Sequence, residues 1–223
     1  TWIMRNFPAP TIDVQRTDFG LQIEARRHLS ESRDHVRVTN LIFPNAIVIP
    51  MSKSMAITQW HVPVDDHNCY WYAHFTSYDA PVDKPRMREQ RMELYRLPDY
   101  KPRVGRFNQW GYDPSEQEDE TYTGMGMDIN VHDQWAVESP GAITDRSREN
   151  LAGTDVAISR YRAMLLRSMD KAASTETNAE LPLHRAEGSP AIGPEWHDSI
   201  MDSECPRKEW LDGYHDRRDK AGW

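Results

Sequence analysis

The stretch from residue 12 to residue 78 carries the pattern that most limits the fold of this chain. β-Branched and aromatic residues alternate there with polar ones, and turn residues separate the runs. A period of two is typical of strands with one buried face, and short polar connections favour antiparallel neighbours. The pattern predicts an antiparallel meander whose first three strands are residues 19–28, 34–43 and 46–49.

The clearest hairpin comes at the end of this stretch. Residues 56–64 and 69–78 flank the polar turn 65–68. A four-residue loop places Val64 opposite Cys69. Because Pro63 has no N–H group to donate, we expect this end of the strand to lie at an edge or a bulge.

The same register predicts which hairpin side chains face each other. Trp60 lies opposite Ala73, and His61 lies opposite Tyr72. His61 and His74 then become diagonal neighbours on one face of the hairpin. We interpret both as hydrogen-bonded or solvent-facing histidines rather than as a metal-binding pair.

Beyond residue 79 the strand pattern ends. Residues 84–96 form a charged segment with Pro85 in the first turn, which predicts a helix. Residues 98–120 are polar and rich in Gly and Pro, and an ordered loop of this length typically covers a site or a subunit contact. Residues 121–130 are interpreted as a returning strand.

Two helices are predicted after that strand. Asn130 is a candidate N-cap for a helix that carries Asp133 and Glu138. Thr154 is a candidate N-cap for a last helix that continues to residue 171. An acidic residue near a helix N-terminus is also favoured by the helix dipole alone, so position by itself does not make Asp133 functional.

The chain is predicted to consist of one domain and a tail. Residues 1–173 hold the strand and helix patterns, whereas residues 174–223 show no sustained apolar period and contain isolated aromatic residues. We expect this second segment to be an extended or partly disordered tail that wraps the domain or a neighbouring subunit.

Composition narrows the classes of partner. A net charge of -8, without a block of basic residues, disfavours a nucleic-acid surface. The apolar runs are too short for a membrane span. Two separated cysteines give no disulfide framework, so a cytoplasmic location is expected.

Several segments together resemble the catalytic domain of Rieske non-heme iron oxygenases, the aromatic ring-hydroxylating oxygenase α subunits. The resemblance covers roughly residues 10 to 172, and its motifs look closest to the phthalate dioxygenase and aromatic O-demethylase branch. The segments that carry it are residues 61–66, 90–95, 97–100, 126–151 and 154–171.

The resemblance implies an α+β fold in which an antiparallel sheet grips a long C-terminal helix, the helix-grip or START-like arrangement, here incomplete. It implies an enzyme that activates dioxygen at a mononuclear ferrous iron, using electrons from a [2Fe-2S] Rieske cluster. The substrate is expected to be an aromatic acid, with ring dihydroxylation and O-demethylation both open. Expected partners are a reductase or ferredoxin and further copies of the chain in a trimer-type ring.

Site residues also follow from the resemblance. Asp133 corresponds to the carboxylate ligand of the iron, and Glu138, five residues on, is a supporting residue near that ligand. Met125, Met127 and Ile129, on one face of the predicted strand, would contribute to the substrate pocket. Core packing is the alternative for these three side chains, and both interpretations stay open.

The sequence lacks the other ligands of this family. None of its nine histidines forms a pair four or five residues apart, and neither cysteine belongs to a Cys-x-His motif. We therefore expect this chain alone to be incomplete and inactive. The alternative is a metal-free ligand-binding or subunit-interaction module that keeps a helix-grip cavity.

Overall fold

A computed structural model describes residues 2–174 and 194–222 of the chain. The chain divides into two compact units. The first, here called the sheet unit, comprises Thr1–Pro81 and Asn150–Trp223. The second, here called the insert, comprises Val82–Glu149.

The sheet unit is built on one seven-stranded antiparallel sheet, which confirms the predicted α+β class and the meander. The first six strands are neighbours in chain order, and the seventh pairs with the third. Each strand pair is antiparallel. The strands are β1 (Thr11–Thr17), β2 (Gly20–Ser30), β3 (Arg33–Ile42), β4 (Ala46–Pro50), β5 (Met55–Pro63), β6 (Cys69–Ser77) and β9 (His197–Asp202).

The hairpin of β5 and β6 exists, but its predicted register is wrong by one residue. Pro63, not Val64, lies opposite Cys69. The Asp65 carboxylate accepts the backbone N–H groups of His67 and Asn68, and the Val64 N–H donates to the Asn68 carbonyl. These bonds close the loop over residues 64–68, so it has one residue more than predicted.

This shift separates the two hairpin histidines. His61 lies opposite Trp71, and His74 lies opposite Thr58. Since successive side chains of a strand point to opposite faces, a one-residue slip moves a side chain to the other face. His61 and His74 therefore lie on opposite faces, and the His61 ring instead packs 5.2 Å from the Trp71 ring.

One face of the sheet packs against α5 (Val156–Ala173). Leu21 and Leu41 are cross-strand partners on this face. They belong to a cluster into which α5 inserts Ala157 and Met164. The predicted last helix is thus present, although its N-cap is Asp155 rather than Thr154 and another helix follows it.

The opposite face of β3 packs against α6 (Arg207–Lys220). Val36 and Val38 are fully buried and contact Trp210 of α6. Tyr214, one turn further on, packs with Trp196 and donates or accepts a 2.8 Å hydrogen bond with the Tyr78 hydroxyl. The sheet unit therefore has a helix on each side of its central strand.

The C-terminal segment is the largest correction to the predicted organisation. The predicted extended or disordered tail over 174–223 contains a strand and a helix in its described part, residues 194–222. Trp196, Trp210 and Tyr214, which the sequence shows as isolated aromatic residues, are core residues. Residues 175–193 lie outside the described part of the chain.

Ionisable side chains tie β3 to β9 and to β2. His35 and Asp198 approach to 2.6 Å, and the buried Asp34 carboxylate accepts from Arg26 at 3.0 Å. His197 is 2% exposed. Its burial, reinforced by the nearby Arg217, lowers its pKa from 6.5 to about 4, so this imidazole is neutral at neutral pH.

The insert has a small core of its own around Trp110, Met125 and Val131. Its helix α2 confirms the charged helix predicted over 84–96, with Asp83 as the N-cap and Pro85 in the first turn. The elements are α2 (Lys84–Leu94), β7 (Tyr95–Arg96), β8 (Lys101–Pro102), a 3-10 helix (Arg106–Gly111), α3 (Pro114–Asp119) and α4 (Ile129–Glu138).

The remaining elements are short. A helix α1 (Trp2–Asn6) precedes β1, and 3-10 turns cover Arg146–Arg148 and Gly153–Asp155. Within residues 2–174 and 194–222, no helix has both the length and the apolar character needed to cross a membrane.

Candidate functional site

The approach to α4 differs from the predicted returning strand. Residues 121–128 form an irregular loop, not a strand. Gly124 has a φ of 66°, and a Cβ atom there would lie 2.6 Å from the Asp113 carbonyl oxygen. Such a positive φ and such a close approach both require glycine. Residues 121–128 therefore form no strand, because their glycines bend the backbone.

Two side chains hold this loop in shape. The Glu116 carboxylate accepts the Gly126 N–H at 2.7 Å and the Thr121 hydroxyl at 2.6 Å. His132 Nε2 lies 3.0 Å from the Thr123 hydroxyl and 2.9 Å from the Gly126 carbonyl oxygen. His132 is therefore engaged by the loop.

The N-cap of α4 is Asp128, not the predicted Asn130. The Asp128 carboxylate accepts the Asn130 N–H at 2.9 Å and forms an ion pair with Arg91 at 2.9 Å. Burial raises the pKa of the neighbouring Tyr95 phenol above its ordinary value. Arg91 acts to lower this pKa, and Asp128 acts to raise it. Asp and Asn are both favoured N-cap residues, so the sequence alone does not choose between Asp128 and Asn130.

Replacing Asp128 by alanine tests this cap. We expect the variant to lose about 1–2 kcal/mol in free energy of unfolding, because one helix N-terminal N–H loses its acceptor and Arg91 loses its partner. Asn130→Ala is the matched control, with a change below about 0.5 kcal/mol. Chemical denaturation followed by near-UV circular dichroism measures both, and a larger effect at Asn130 would contradict the assignment.

Asp133 lies in the second turn of α4, since the helix begins at Ile129. Its side chain is exposed. The residues three and four positions away, which share its face, include Ile129 and Val137, 63% and 68% exposed. Asp133 thus sits on an exposed, largely apolar face of α4.

Glu138 lies at the end of α4 and about 140° round the helix from Asp133. Its carboxylate accepts the Trp110 indole N–H at 2.6 Å and the Gln134 amide at 3.0 Å. Its backbone carbonyl accepts from Arg106. Glu138 therefore fastens the end of α4 to the 3-10 helix.

The three predicted pocket residues do not share one surface. Met125 is 9% exposed and packs against Trp110 and Val131. Met127 and Ile129 are 86% and 63% exposed. Since the strand that would have aligned them is absent, Met125 is core, Ile129 lies on the Asp133 face, and Met127 is exposed in the loop before α4.

The described residues do not fit a complete iron site. Ferrous iron in this ligand class takes two imidazoles and one carboxylate. The residues that share the Asp133 face are Ile129, Asn130, Ala136 and Val137, none of which is an imidazole. Within residues 2–174 and 194–222, no group of three His, Cys, Asp or Glu side chains is placed to hold a metal ion.

Comparison with known proteins places the chain in a family. The model of the family described as LigXa C-terminal domain like matches residues 2–189. The chain belongs to this family. The match confirms the resemblance to the Rieske oxygenase catalytic domain, and it extends past residue 173, where the predicted domain ends.

Two curated proteins are similar to the chain. It is 27% identical over 168 residues to the phthalate 4,5-dioxygenase oxygenase subunit of Pseudomonas putida. It is 28% identical over 193 residues to the 3-chlorobenzoate-3,4-dioxygenase oxygenase subunit of Comamonas testosteroni. These alignments cover 71% and 78% of this chain but only 37% and 44% of the relatives. The chain thus spans less than half the length of the curated relatives that it matches.

Proposed function

We propose that this chain forms part of an aromatic ring-hydroxylating oxygenase and that Asp133 is the carboxylate ligand of its ferrous iron. The observation that carries the proposal is the family match over residues 2–189, together with relatives that are dioxygenase oxygenase subunits. The geometry of α4 supports it, because Asp133 is the acidic residue on the exposed apolar face of that helix.

The chain's own residues would position this carboxylate. Asp128 caps the start of α4, and Glu138 ties its end to Trp110 and Gln134. A carboxylate on a short helix whose two ends are both held in place loses little orientational freedom when metal binds. The iron itself would supply dioxygen activation once two imidazoles complete its coordination. Those imidazoles would have to come from outside the described residues.

The apolar surroundings of Asp133 support a role in enclosing the substrate. Ile129 and Val137 expose apolar side chains on the Asp133 face, and Met127 is exposed in the loop that precedes α4. Flexible thioethers such as Met127 adapt to aromatic rings. Met125 would support the loop from its buried side, by packing in the core of the insert. Once covered by a partner surface, this face would exclude water from the reacting centre.

The substrate class we propose is an aromatic acid. The two similar subunits are named for phthalate and for 3-chlorobenzoate, both aromatic carboxylates. Ring dihydroxylation and O-demethylation are both compatible with a single iron site. The proposal includes electrons from a [2Fe-2S] Rieske cluster, a reductase or ferredoxin donor, and a trimer-type ring of identical subunits.

The fold supports the helix-grip part of the proposal. An antiparallel sheet carries the long helix α5 on one face, through a cluster that includes Leu21, Phe43 and Met164. In a helix-grip domain the sheet curves round its helix at such a contact. The described α6 on the other face would be an addition to that arrangement.

An anaerobic ferrous titration of the full chain tests the ligand role. Imidazole, added at a fixed concentration, stands in for the two histidine ligands. We expect weak binding to the chain alone, tighter binding with imidazole, and a loss of at least about 100-fold in iron affinity for Asp133→Ala. Residues that only orient ligands typically cost about 10- to 100-fold.

Glu118→Gln provides the matched control, because Glu118 is an exposed acid in the same unit. It should leave the imidazole-dependent iron affinity unchanged. Equal iron affinities for the Asp133 and Glu118 variants would overturn the ligand assignment and favour the alternative, a metal-free ligand-binding or subunit-interaction module. Tight binding without imidazole, lost in Asp133→Ala, would support the ligand role but overturn the expectation of an incomplete site.

A further inference from the structure

The insert contains a cleft of about 520 Å³ that the proposed oxygenase function does not use. Its lining includes Arg96 and Lys101 from the hairpin of β7 and β8, Phe107 from the 3-10 helix, and Gln134 and Glu138 from α4. Volumes of about 300–1,000 Å³ are typical of sites for small molecules.

One cation that lines this cleft has no side-chain partner among the described residues. Lys101 forms an ion pair with Asp99 at 3.0 Å. The Glu138 carboxylate already accepts from Trp110 and Gln134. The guanidinium of Arg96 has no hydrogen-bond or ion-pair partner in the described part of the insert, although its backbone pairs with that of Lys101.

Arg106 also lines the cleft but is already engaged. Its guanidinium donates to the Glu138 carbonyl and lies 5.6 Å from the centre of the Trp110 ring. Arg96 is therefore the cation left to meet a ligand. A planar guanidinium pairs with a carboxylate through two parallel hydrogen bonds, which suits a monoanion. The neighbouring carboxylates of Asp99 and Glu138 disfavour a ligand of higher negative charge.

The remaining wall of the cleft is apolar. Leu97 and Phe107 line it and are 60% and 73% exposed. A Cβ atom at Gly105 would lie 3.0 Å from the Phe107 ring, so this glycine allows the ring to rest against the backbone. Exposed apolar side chains beside a free cation suit an organic acid. The cation would contact the acid group, and the apolar side chains would contact the apolar body.

We propose that this cleft binds a small organic monoanion, a carboxylate on an aromatic or apolar body, with Arg96 as its anion contact and Phe107 as its apolar wall. The cleft is distinct from the Asp133 face. Gln134 and Glu138 lie about 100° and 140° round α4 from Asp133. A ligand in the cleft would contact the back of the helix that carries the proposed metal ligand, and it would leave the exposed face free.

Benzoate is the probe, with benzamide as its neutral counterpart and acetate as its counterpart without the ring. The full chain is titrated and followed by nuclear magnetic resonance of the Trp110 indole N–H and the Gln134 side-chain amide, both bonded to Glu138. We expect saturable shifts of both signals with benzoate, and weaker binding of benzamide and acetate. Arg96→Gln should weaken benzoate binding on the order of tenfold, as for a lost charge-assisted hydrogen bond.

Two further variants separate the outcomes. Arg88→Gln, an exposed arginine of α2 outside the cleft, should bind benzoate as the parent chain does. Equal losses in the two arginine variants, equal binding of benzamide, or shifts that bypass Trp110 and Gln134 would overturn the proposal. Phe107→Ala should weaken benzoate more than acetate, and the reverse order would also overturn it.

The proposed iron site is tested separately by Asp133→Ala. That variant should keep benzoate binding in the cleft while it loses imidazole-dependent iron binding. Loss of both together in Asp133→Ala would overturn the proposal of a distinct cleft. Retention of benzoate binding without any iron binding in the parent chain would leave the cleft supported and remove the iron proposal alone.

Discussion

Trp210→Ala is expected to lower the free energy of unfolding by about 3–5 kcal/mol. The indole is 3% exposed and packs against Val36 and Val38, which are fully buried in the central strand. It also lies 5.2 Å from the His197 ring and beneath the Arg207 guanidinium. Truncation would leave a cavity between the sheet and α6. Urea denaturation of the full chain, followed by circular dichroism, measures the loss.

Trp2→Ala is the matched control for this substitution. Trp2 is 67% exposed in the short helix α1, and its ring contacts Phe7 only edge-on. We expect a change below about 1 kcal/mol. If residues 194–222 were an extended tail, Trp210→Ala would have an effect as small as Trp2→Ala. That result would contradict the packing of α6 against the sheet.

The second large effect is a loss of stability on acidification. Because the pKa of His197 falls from 6.5 to about 4 on folding, the unfolded chain binds more protons than the folded chain between these values. Stability is therefore fully present above about pH 6.5 and declines as the pH falls to about 4, by up to about 3 kcal/mol. Arg217, Lys53 and His35 add to the cost of charging His197, and Asp198 opposes it.

Denaturation at a series of pH values between 7 and 4 tests this expectation. His197→Gln removes the titrating group and should flatten the decline over this window. His67→Gln, in the exposed 64–68 turn, should leave the decline unchanged. An unchanged slope in His197→Gln would show that another group controls the acid sensitivity.

Local patterns in the sequence predicted the elements they describe. The alternating residues of 12–78 predicted the antiparallel meander, and the charged segment with Pro85 in its first turn predicted helix α2. Such signals arise from side chains within a few positions of each other, so they need no knowledge of distant contacts. They failed at residues 121–128, where Gly124 and Gly126 adopt positive φ values and bend an alternating run into a loop.

The helical position of Asp133 was predicted correctly, because α4 carries it. Its role as an iron ligand stays a prediction. The register of α4 was not recoverable, because Asp128 and Asn130 are both good caps and only the bond from the Asn130 N–H distinguishes them. The partners of Glu138 could not be predicted either, since Trp110 lies 28 residues away in the chain.

The sequence by itself determined the fold class and the family, and it placed Asp133 on a helix. Those conclusions rest on residue patterns along continuous segments. Only the tertiary structure decided that residues 194–222 complete the sheet unit. Trp210 and Tyr214 belong to no sustained apolar period in the sequence, and they are buried only because the second face of the sheet covers them. The tertiary structure likewise decided that Asp133 and the Arg96 cleft occupy different sides of one helix, since that separation depends on where α4 begins and what its buried side contacts.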